Sequence, residues 1–419
     1  MSDILDRDYF TDPVVPQDPL PWIEAMRARG PVTREKFHDT MVVTGYDETL
    51  EVYTQPETFS NVAAVGGTLG GLPFEPEGDD ISSQIAAHHH KFPFSEHFIT
   101  LDGEEHRIQR GLMTRLLTFK RLKANEVFTD GFASRLIDGF AERKRCEFIG
   151  DFAQPFSTMV IADLLGVPET ELGRLREQMV PPPGSMDADA PENIANPWAG
   201  FEKFFAELIR EREQAPRDDM LTDLARCTLP DGSDPGIDTK IRIATFLFIG
   251  GQGTSARLLG SALRILGERP EVQRELRAER AKIPLFVEEV LRLETPSLSD
   301  FRLTRRTSKI GEKEVKAGTM IMMSITGANR DPQRFADPNA FDHNRTNVRD
   351  HLAFGRGPHG CPGSPLARLE ARIAIERMFD RFDSIGIDEE HHGPAANRRY
   401  RYAASYILRG LEELHLRLD

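Results

Sequence analysis

Cysteine is scarce: Cys146, Cys227 and Cys361 are the only three in 419 residues. They are odd in number and far apart, which excludes a disulfide-built scaffold and matches the usage of a reducing compartment. Basic charge is also short. Lys and Arg total 53 against 67 Asp and Glu, a formal net charge of −14. Nucleic acid and anionic membranes are therefore poor partners, since polyphosphate needs a basic surface. No run approaches the roughly 18 uninterrupted apolar residues of a membrane span. Met1 to Phe10 carries Asp3, Asp6, Arg7 and Asp8 and no apolar stretch, so the expectation is neither signal peptide nor anchor but a cytoplasmic protein. Ser/Gly linkers, repeats and breaks in composition are all missing. The length would allow two or three domains; the even composition predicts one, over 1–419.

Glycine and proline, by contrast, crowd one place. Phe354-Gly355-Arg356-Gly357-Pro358-His359-Gly360-Cys361-Pro362-Gly363 holds four glycines and two prolines in ten residues, which rules out a regular helix or strand. Residues 364–383 then read as a helix, with Leu366, Leu369, Ile373, Ile375 and Phe379 near helical spacing. The loop delivers Cys361 to that helix N-terminus, with Pro362 at an early helical position. Unpaired N–H groups and the partial positive charge there favour thiolate over thiol. Cys361 is thus either a sheltered free cysteine in a turn, or a metal ligand or nucleophile.

The same ten residues resemble the haem-ligand signature of the cytochrome P450 family, Phe-Gly-x-Gly-x-His-x-Cys-x-Gly, at every defined position. The resemblance implies haem b (iron protoporphyrin IX), with Cys361 as axial metal ligand and Phe354, Gly355, His359 and Gly363 around the cofactor. A thiolate ligand pushes electron density through the metal and favours O–O cleavage; the loop must shelter it and donate N–H bonds to the sulfur. No Cys-x-x-Cys-His is present, so attachment is expected to be non-covalent. The implied fold is mainly α with a smaller β-containing lobe (α+β), the lobe drawn mainly from 20–60, 300–330 and 395–419.

Residues 22–29 read as a short helix, 41–44 as a strand and 47–53 as a helix; "VVTGYDETLEVYTQPETFSN" resembles the family's first sheet and second helix. Residues 62–100 are irregular, and such long loops in compact enzymes tend to be functional or mobile. In the family this loop closes over the distal pocket, which makes Phe92, Phe94, Phe98 and Ile99 candidate pocket walls; packing beneath the loop is the alternative for each. His88-His89-His90 cannot converge on one ion without a bent backbone and a fourth ligand, and reads as a solvated loop tip.

A strongly basic helix opens at Asp102, with Arg107, Arg110, Arg115, Lys120, Arg121 and Lys123. His106 and Arg110 share a face and match the family's propionate-binding His-x-x-x-Arg pair; Arg302 and His359 match further propionate contacts. The cluster of Arg107, Arg115, Lys120 and Arg121 is an anomaly on an acidic chain. It is either a solvated helix face or a docking patch for an acidic ferredoxin-type electron donor, the reading the family favours. Helices are expected at 126–143, 154–165, 169–179 and 198–213; "DFAQPFSTMVIADLLGVP" again resembles the family. Pro181-Pro182-Pro183-Gly184 breaks the chain before an acidic stretch, 187–192. In the family this connection, 180–200, belongs to the substrate-entry lid.

Residues 239–264 read as a long apolar helix interrupted by Gly250-Gly251-Gln252-Gly253-Thr254-Ser255. Three interior glycines cost roughly 1 kcal/mol each relative to Ala, so something large lies against the backbone or the helix opens locally. The stretch resembles the family's distal helix, where a Gly, an acidic residue and a Thr sit over the iron. Gly251 and Thr254 match, but Gly253 stands at the acidic position. In the family the Thr hydroxyl serves dioxygen and its water chain while the carboxylate relays protons. Here the relay must use water, Gln252 or a group from elsewhere. The expectation is slower or leakier oxygen activation, or a peroxide-tolerant variant. Thr254, Gly251 and Gln252 form the candidate catalytic set.

Glu289-Val290-Leu291-Arg292, followed by Thr295-Pro296, matches the family's Glu-x-x-Arg. There the pair joins an Arg before the cysteine loop, here Arg345 in "FDHNR", in a buried ion network. Strands are expected at 309–315 and 320–325 around Ala317-Gly318, and "ANRDPQRFADPNAFDHNR" resembles the family's meander. Residues 406–410 resemble its last hairpin, whose tip enters the active site. Phe94, Phe98, Ile99, Phe246, Ile249, Gly250, Leu298, Ile407 and Leu408 are the candidate substrate contacts, an apolar set. The resemblance thus implies a monomeric monooxygenase inserting one oxygen atom from dioxygen into a small-to-medium apolar molecule, hydroxylation foremost, with electrons from a ferredoxin and its reductase. Two other readings stay open: a peroxide-using haem-thiolate peroxygenase, which would account for Gly253, and a non-catalytic haem or ligand-binding protein.

Overall fold

The longest apolar segment becomes the longest helix, Ile237–Glu268, and the rest of the helical part packs round it. The computed structural model describes residues 4–178, 196 and 198–419; the break at 181–184, the acidic stretch at 187–192 and the end of the expected 169–179 helix lie outside the described residues. The interruption expected at Gly250 to Ser255 is not there: the helix runs through it. Close packing explains the glycine at 251, because a Cβ there would meet Ile161 at 3.0 Å, on the neighbouring helix Gln154–Leu165. Phe119–Ala141 and Ser364–Arg381 complete the surround. The main core between them encloses Phe152, Phe156, Leu259, Leu263 and Ile375. Burying such side chains contributes roughly 1.5–3 kcal/mol each, which outweighs the helix-propensity cost of the glycines.

The basic segment is two helices rather than one. Gly103–Leu116 ends before Thr118, whose hydroxyl accepts from the Arg121 N–H at 3.3 Å and caps Phe119–Ala141. Lys120, Arg121 and Lys123 therefore belong to the second helix, not to that of His106 and Arg110. At the cysteine loop, Gly363 is the N-cap of Ser364–Arg381 and Pro365, not Pro362, occupies its first turn.

Among the described residues, ten short strands follow in chain order: β1 (Val32–Arg34), β2 (Met41–Val43), β3 (Phe59–Ser60), β4 (Arg145–Glu147), β5 (Ser299–Thr304), β6 (Ser308–Ile310), β7 (Lys313–Val315), β8 (Met320–Ser324), β9 (Ile385–Ile387) and β10 (His415–Leu418). The main sheet has the order β1-β2-β8-β5-β3. β2 runs parallel to β8, with Val42 opposite Met322, and β5 antiparallel to it, with Arg302 opposite Ile321. Instead of one strand at 309–315 there is a hairpin, β6 and β7, turning at Gly311 with φ +54°, a conformation glycine adopts without strain. The chain end also departs from the expected lobe: β10 pairs with β4 and β9, against the helical part. Among the described residues no helix is long and apolar enough to cross a membrane.

Candidate functional site

A cavity of about 250 Å³ opens between the 237–268 helix and the cysteine loop. Cys361, Phe354, Gly355 and Gly363 form one wall, and Gly250, Gly251, Thr254 and Leu258 the facing one. Phe98, Ile99 and Phe246 close the apolar side, while Asn61, Asp300, Arg302 and His359 stand at a polar edge.

The loop holds its shape through backbone. Gly355 and Gly357 take φ +64° and +69°, and a side chain on Gly357 would strike the Tyr53 carbonyl. The Cys361 N–H donates to the Phe354 carbonyl at 2.8 Å. Cys361 is exposed and lines the cavity. Burial pushes its thiol up, opposed by the N–H groups of Gly363 and Ser364 and the charges of Arg110 and Arg368. Each of these opposing groups favours the thiolate once a positive centre binds it.

On the facing helix, Thr254 Oγ1 donates to the Gly250 carbonyl at 2.7 Å. A Cβ on Gly250 would meet nothing within 4 Å, so that glycine leaves the cavity open. Beside Thr254, Arg257 Nη1 donates to the Gly253 carbonyl at 2.8 Å, and burial lowers the Arg257 pKa to about 10.

The polar edge is rich in bases. His106 stacks on His359 with ring centroids 3.8 Å apart and on Phe98 at 4.8 Å. Burial, then the neighbouring Arg charges, lowers His106 to about 4 and His359 to about 2, so both rings are neutral. His106 Nε2 is buried with no partner. Arg302 Nη1 donates to the Phe301 carbonyl at 2.7 Å and Arg110 Nη1 to the Gly360 carbonyl at 2.5 Å. The one acid among them, Asp300, accepts from Tyr53 at 2.5 Å. A thiol on one wall, an open glycine face opposite, and an edge holding arginines with an orphaned histidine nitrogen fit a flat metal-bearing cofactor with an acidic rim.

Several expected residues lie elsewhere. Phe94, at φ +56°, packs on Trp198 at 4.4 Å instead of facing the cavity. Ile249 packs against the main core, and Gln252 also lies off the cavity wall. Leu298 is 1% exposed, its N–H donating to the Ile407 carbonyl at 2.7 Å, and Leu408 bridges to Ser297. The 406–410 tip thus braces the start of β5, and Leu298, Ile407 and Leu408 do not reach the cavity wall. Asn61 was not anticipated; its Nδ2 lies 3.1 Å from His359 Nδ1. No periodicity marks it, because it acts through its position in the short turn Asn61–Ala63.

Beneath the cysteine loop, Arg292 donates to both oxygens of Glu289 at 2.7 and 2.8 Å, and Arg345 Nε joins at 3.1 Å. Glu289 and Arg292 are fully buried. The basic cluster is partly neutralised: Arg107 pairs with Glu104, Arg121 with Asp223 and Lys123 with Glu126. Arg115 donates to the Thr228 carbonyl at 3.1 Å. Among the described residues no group of three His, Cys, Asp or Glu could hold a metal ion, and His88 instead bonds the Gln84 carbonyl at 3.0 Å.

Residues 189–395 match the family model described as Cytochrome P450. The substrate-free structure of Mycobacterium marinum cytochrome P450 CYP150A6 superposes with a TM-score of 0.92 at 46% identity, covering 99% of both chains. Cytochrome P450 144 of Mycobacterium tuberculosis is 32% identical over 88% of this chain and 84% of its own. Cyclomarin C epoxidase CymV of Salinispora arenicola is 30% identical over 87% and 89%. With the cysteine loop, the facing glycine helix and likeness along nearly the whole length, the chain belongs to the cytochrome P450 family of haem-dependent monooxygenases.

Proposed function

We propose that this protein inserts one oxygen atom from dioxygen into a small-to-medium apolar organic molecule, with hydroxylation as the main outcome. The observation that carries the reading is the placement of Cys361 across one cavity from Gly250, Gly251 and Thr254. Haem, when bound, would supply oxygen activation and electron transfer, and the Cys361 thiolate would hold its iron. Arg302, Arg110, His359 and the unpartnered His106 would hold its carboxylates, whose burial needs such donors. Phe354, Gly355 and Gly363 shield the sulfur. Thr254, with its proton committed to the Gly250 carbonyl, keeps its oxygen free to accept a hydrogen bond from the cavity. Gly251 lets Ile161 pack close against that wall.

Phe98, Ile99, Phe246 and Gly250 give the substrate an apolar wall, and apolar pockets with a few polar groups recognise apolar bodies. Epoxidation is a second outcome of the same chemistry, supported by the relative named as an epoxidase. Electrons would come from a ferredoxin and its reductase, docking through Arg115 and Lys120 with Arg107 and Arg121 around them. We read the chain as one domain, a monomer, and, from its three free cysteines, cytoplasmic. Turnover with a ferredoxin system under labelled dioxygen tests the proposal: one labelled atom in the product supports it. Product formed with peroxide but not with the reduced ferredoxin would favour the peroxygenase reading that Gly253 motivates.

A further inference from the structure

A second buried acid lies one residue before Glu289 and serves a different partner set. Glu288, on the helix Ile283–Leu293, is 3% exposed. Arg368 donates to it twice, Nε to Oε1 at 2.6 Å and Nη2 to Oε2 at 2.9 Å, and His351 Nε2 lies 2.9 Å from Oε2. Burial raises the carboxyl's pKa, but His351 and Arg368 more than offset it and hold it at about 2. Glu288 is therefore an anion at any working pH.

Its two partners stand at opposite ends of the ligand loop, His351 ahead of Phe354 and Arg368 in the helix after Cys361. A single carboxylate from a third segment staples both ends. The stapled side chains then continue onto the loop itself. The Arg368 guanidinium carbon sits 4.5 Å from the centroid of the Phe354 ring. His351 Nδ1 accepts from the Ala353 N–H at 3.2 Å, and the Phe354 carbonyl accepts from the Cys361 N–H at 2.8 Å. A planar guanidinium suits both tasks at once, since it forks onto a carboxylate and stacks on an aromatic face. The Arg368 side chain is 38% exposed. Without its anion the head keeps only a long bond from Nη1 to the Ser364 carbonyl at 3.5 Å, and a guanidinium so weakly held snorkels to water.

We infer that Glu288 is a positioning residue for the axial cysteine, fixing Arg368 against Phe354 and so setting both the rigidity of the ligand loop and the field at the sulfur. The inference rests on Cys361 being the haem ligand. Because the staple is an ion pair, its two halves act with opposite sign on the centre. Reduction adds negative charge there, so loss of the anion raises the reduction potential and loss of the cation lowers it.

The test uses the haem-loaded protein without substrate or partner. Its two readouts are the reduction potential and the rate at which the reduced carbon monoxide complex converts from the thiolate to the thiol spectrum. Glu288→Gln is expected to raise the potential and Arg368→Gln to lower it, both with several-fold faster conversion. Arg368→Lys keeps the charge but lacks the fork; it should hold the potential near wild type while speeding conversion. Gln variants whose potentials move together, or not at all, overturn the inference. Should Glu288→Gln fail to fold, the potential difference between Arg368→Gln and Arg368→Lys still decides it, equal values overturning it. A wild-type protein with no thiolate band would instead overturn the assignment of Cys361 itself.

Discussion

Arg257 lies over Gly253. Its Nη1 donates to the Gly253 carbonyl at 2.8 Å, and a Cβ placed on Gly253 would meet that same nitrogen at 2.8 Å. The space that an acidic side chain would fill beside Thr254 is thus taken by a guanidinium with no carboxylate partner among the described residues. Gly253→Asp would displace only the flexible end of Arg257 and give it a counter-ion. We expect the variant to gain about 1 kcal/mol or more in unfolding free energy, from better helix propensity and a charge-assisted bond. Peroxide released per electron consumed should also fall. An unchanged ratio would count against a proton-delivery deficit at Gly253.

Arg292 is fully buried between Glu289 and the carbonyls of Asn329, Pro338 and Ala340. Replacing Glu289 by Ala strands that charge and is expected to cost about 3–5 kcal/mol in denaturant unfolding. Arg107→Ala, which breaks an exposed pair with Glu104, should leave the midpoint where it is. Equal effects of the two variants would contradict the buried-network account.

Glu370 is fully buried on Ser364–Arg381 and has no cationic partner among the described residues. Burial raises its pKa from 4.5 to about 8, against the Ser255 and Ser157 hydroxyls beside it. The folded state therefore binds this proton more tightly than the unfolded chain. Its contribution to stability is complete below about pH 4.5 and is lost as the pH rises through about 8. Glu370→Gln removes that dependence. The stability of the variant relative to wild type should grow across this window, read as denaturant midpoints; a constant difference would show that Glu370 does not titrate there.

His97 Nε2 lies 2.9 Å from Glu202 Oε1, tying the 62–100 segment to the helix Ala199–Gln214. Asn196 donates to the other oxygen at 2.8 Å, and Trp198 packs edge-on to His97 at 4.9 Å. We expect His97→Ala to speed both entry and release of an apolar ligand several-fold in stopped-flow spectra, with its equilibrium spin shift little changed. Unaltered rates would place the entry route elsewhere.

The turn at the cysteine loop and the ion network were legible because their chemistry is local and sequence-dense: Gly355, Gly357 and Cys361 sit within one turn-forming stretch, and Glu289 and Arg292 within one helical turn. The main sheet's neighbours and the unbroken 237–268 helix were not. The glycines at 250 and 251 signal a broken helix locally, while the packing of Ile161 that keeps it whole comes from a distant segment. Leu298, Ile407 and Leu408 failed as cavity residues for a related reason. Their apolar character is equally served by backbone pairing at the start of β5. Arg257 and Glu288 carry no motif, and only three-dimensional neighbours give them meaning.

The central claim is that the Cys361 sulfur binds the iron. The most direct measurement is the absorption spectrum of the reduced, haem-loaded protein under carbon monoxide, for wild type and Cys361→Ala. A strongly red-shifted Soret band in the wild type that vanishes in Cys361→Ala is the predicted result. A wild-type band at the ordinary histidine-ligated position, or a red-shifted band that survives Cys361→Ala, would contradict it.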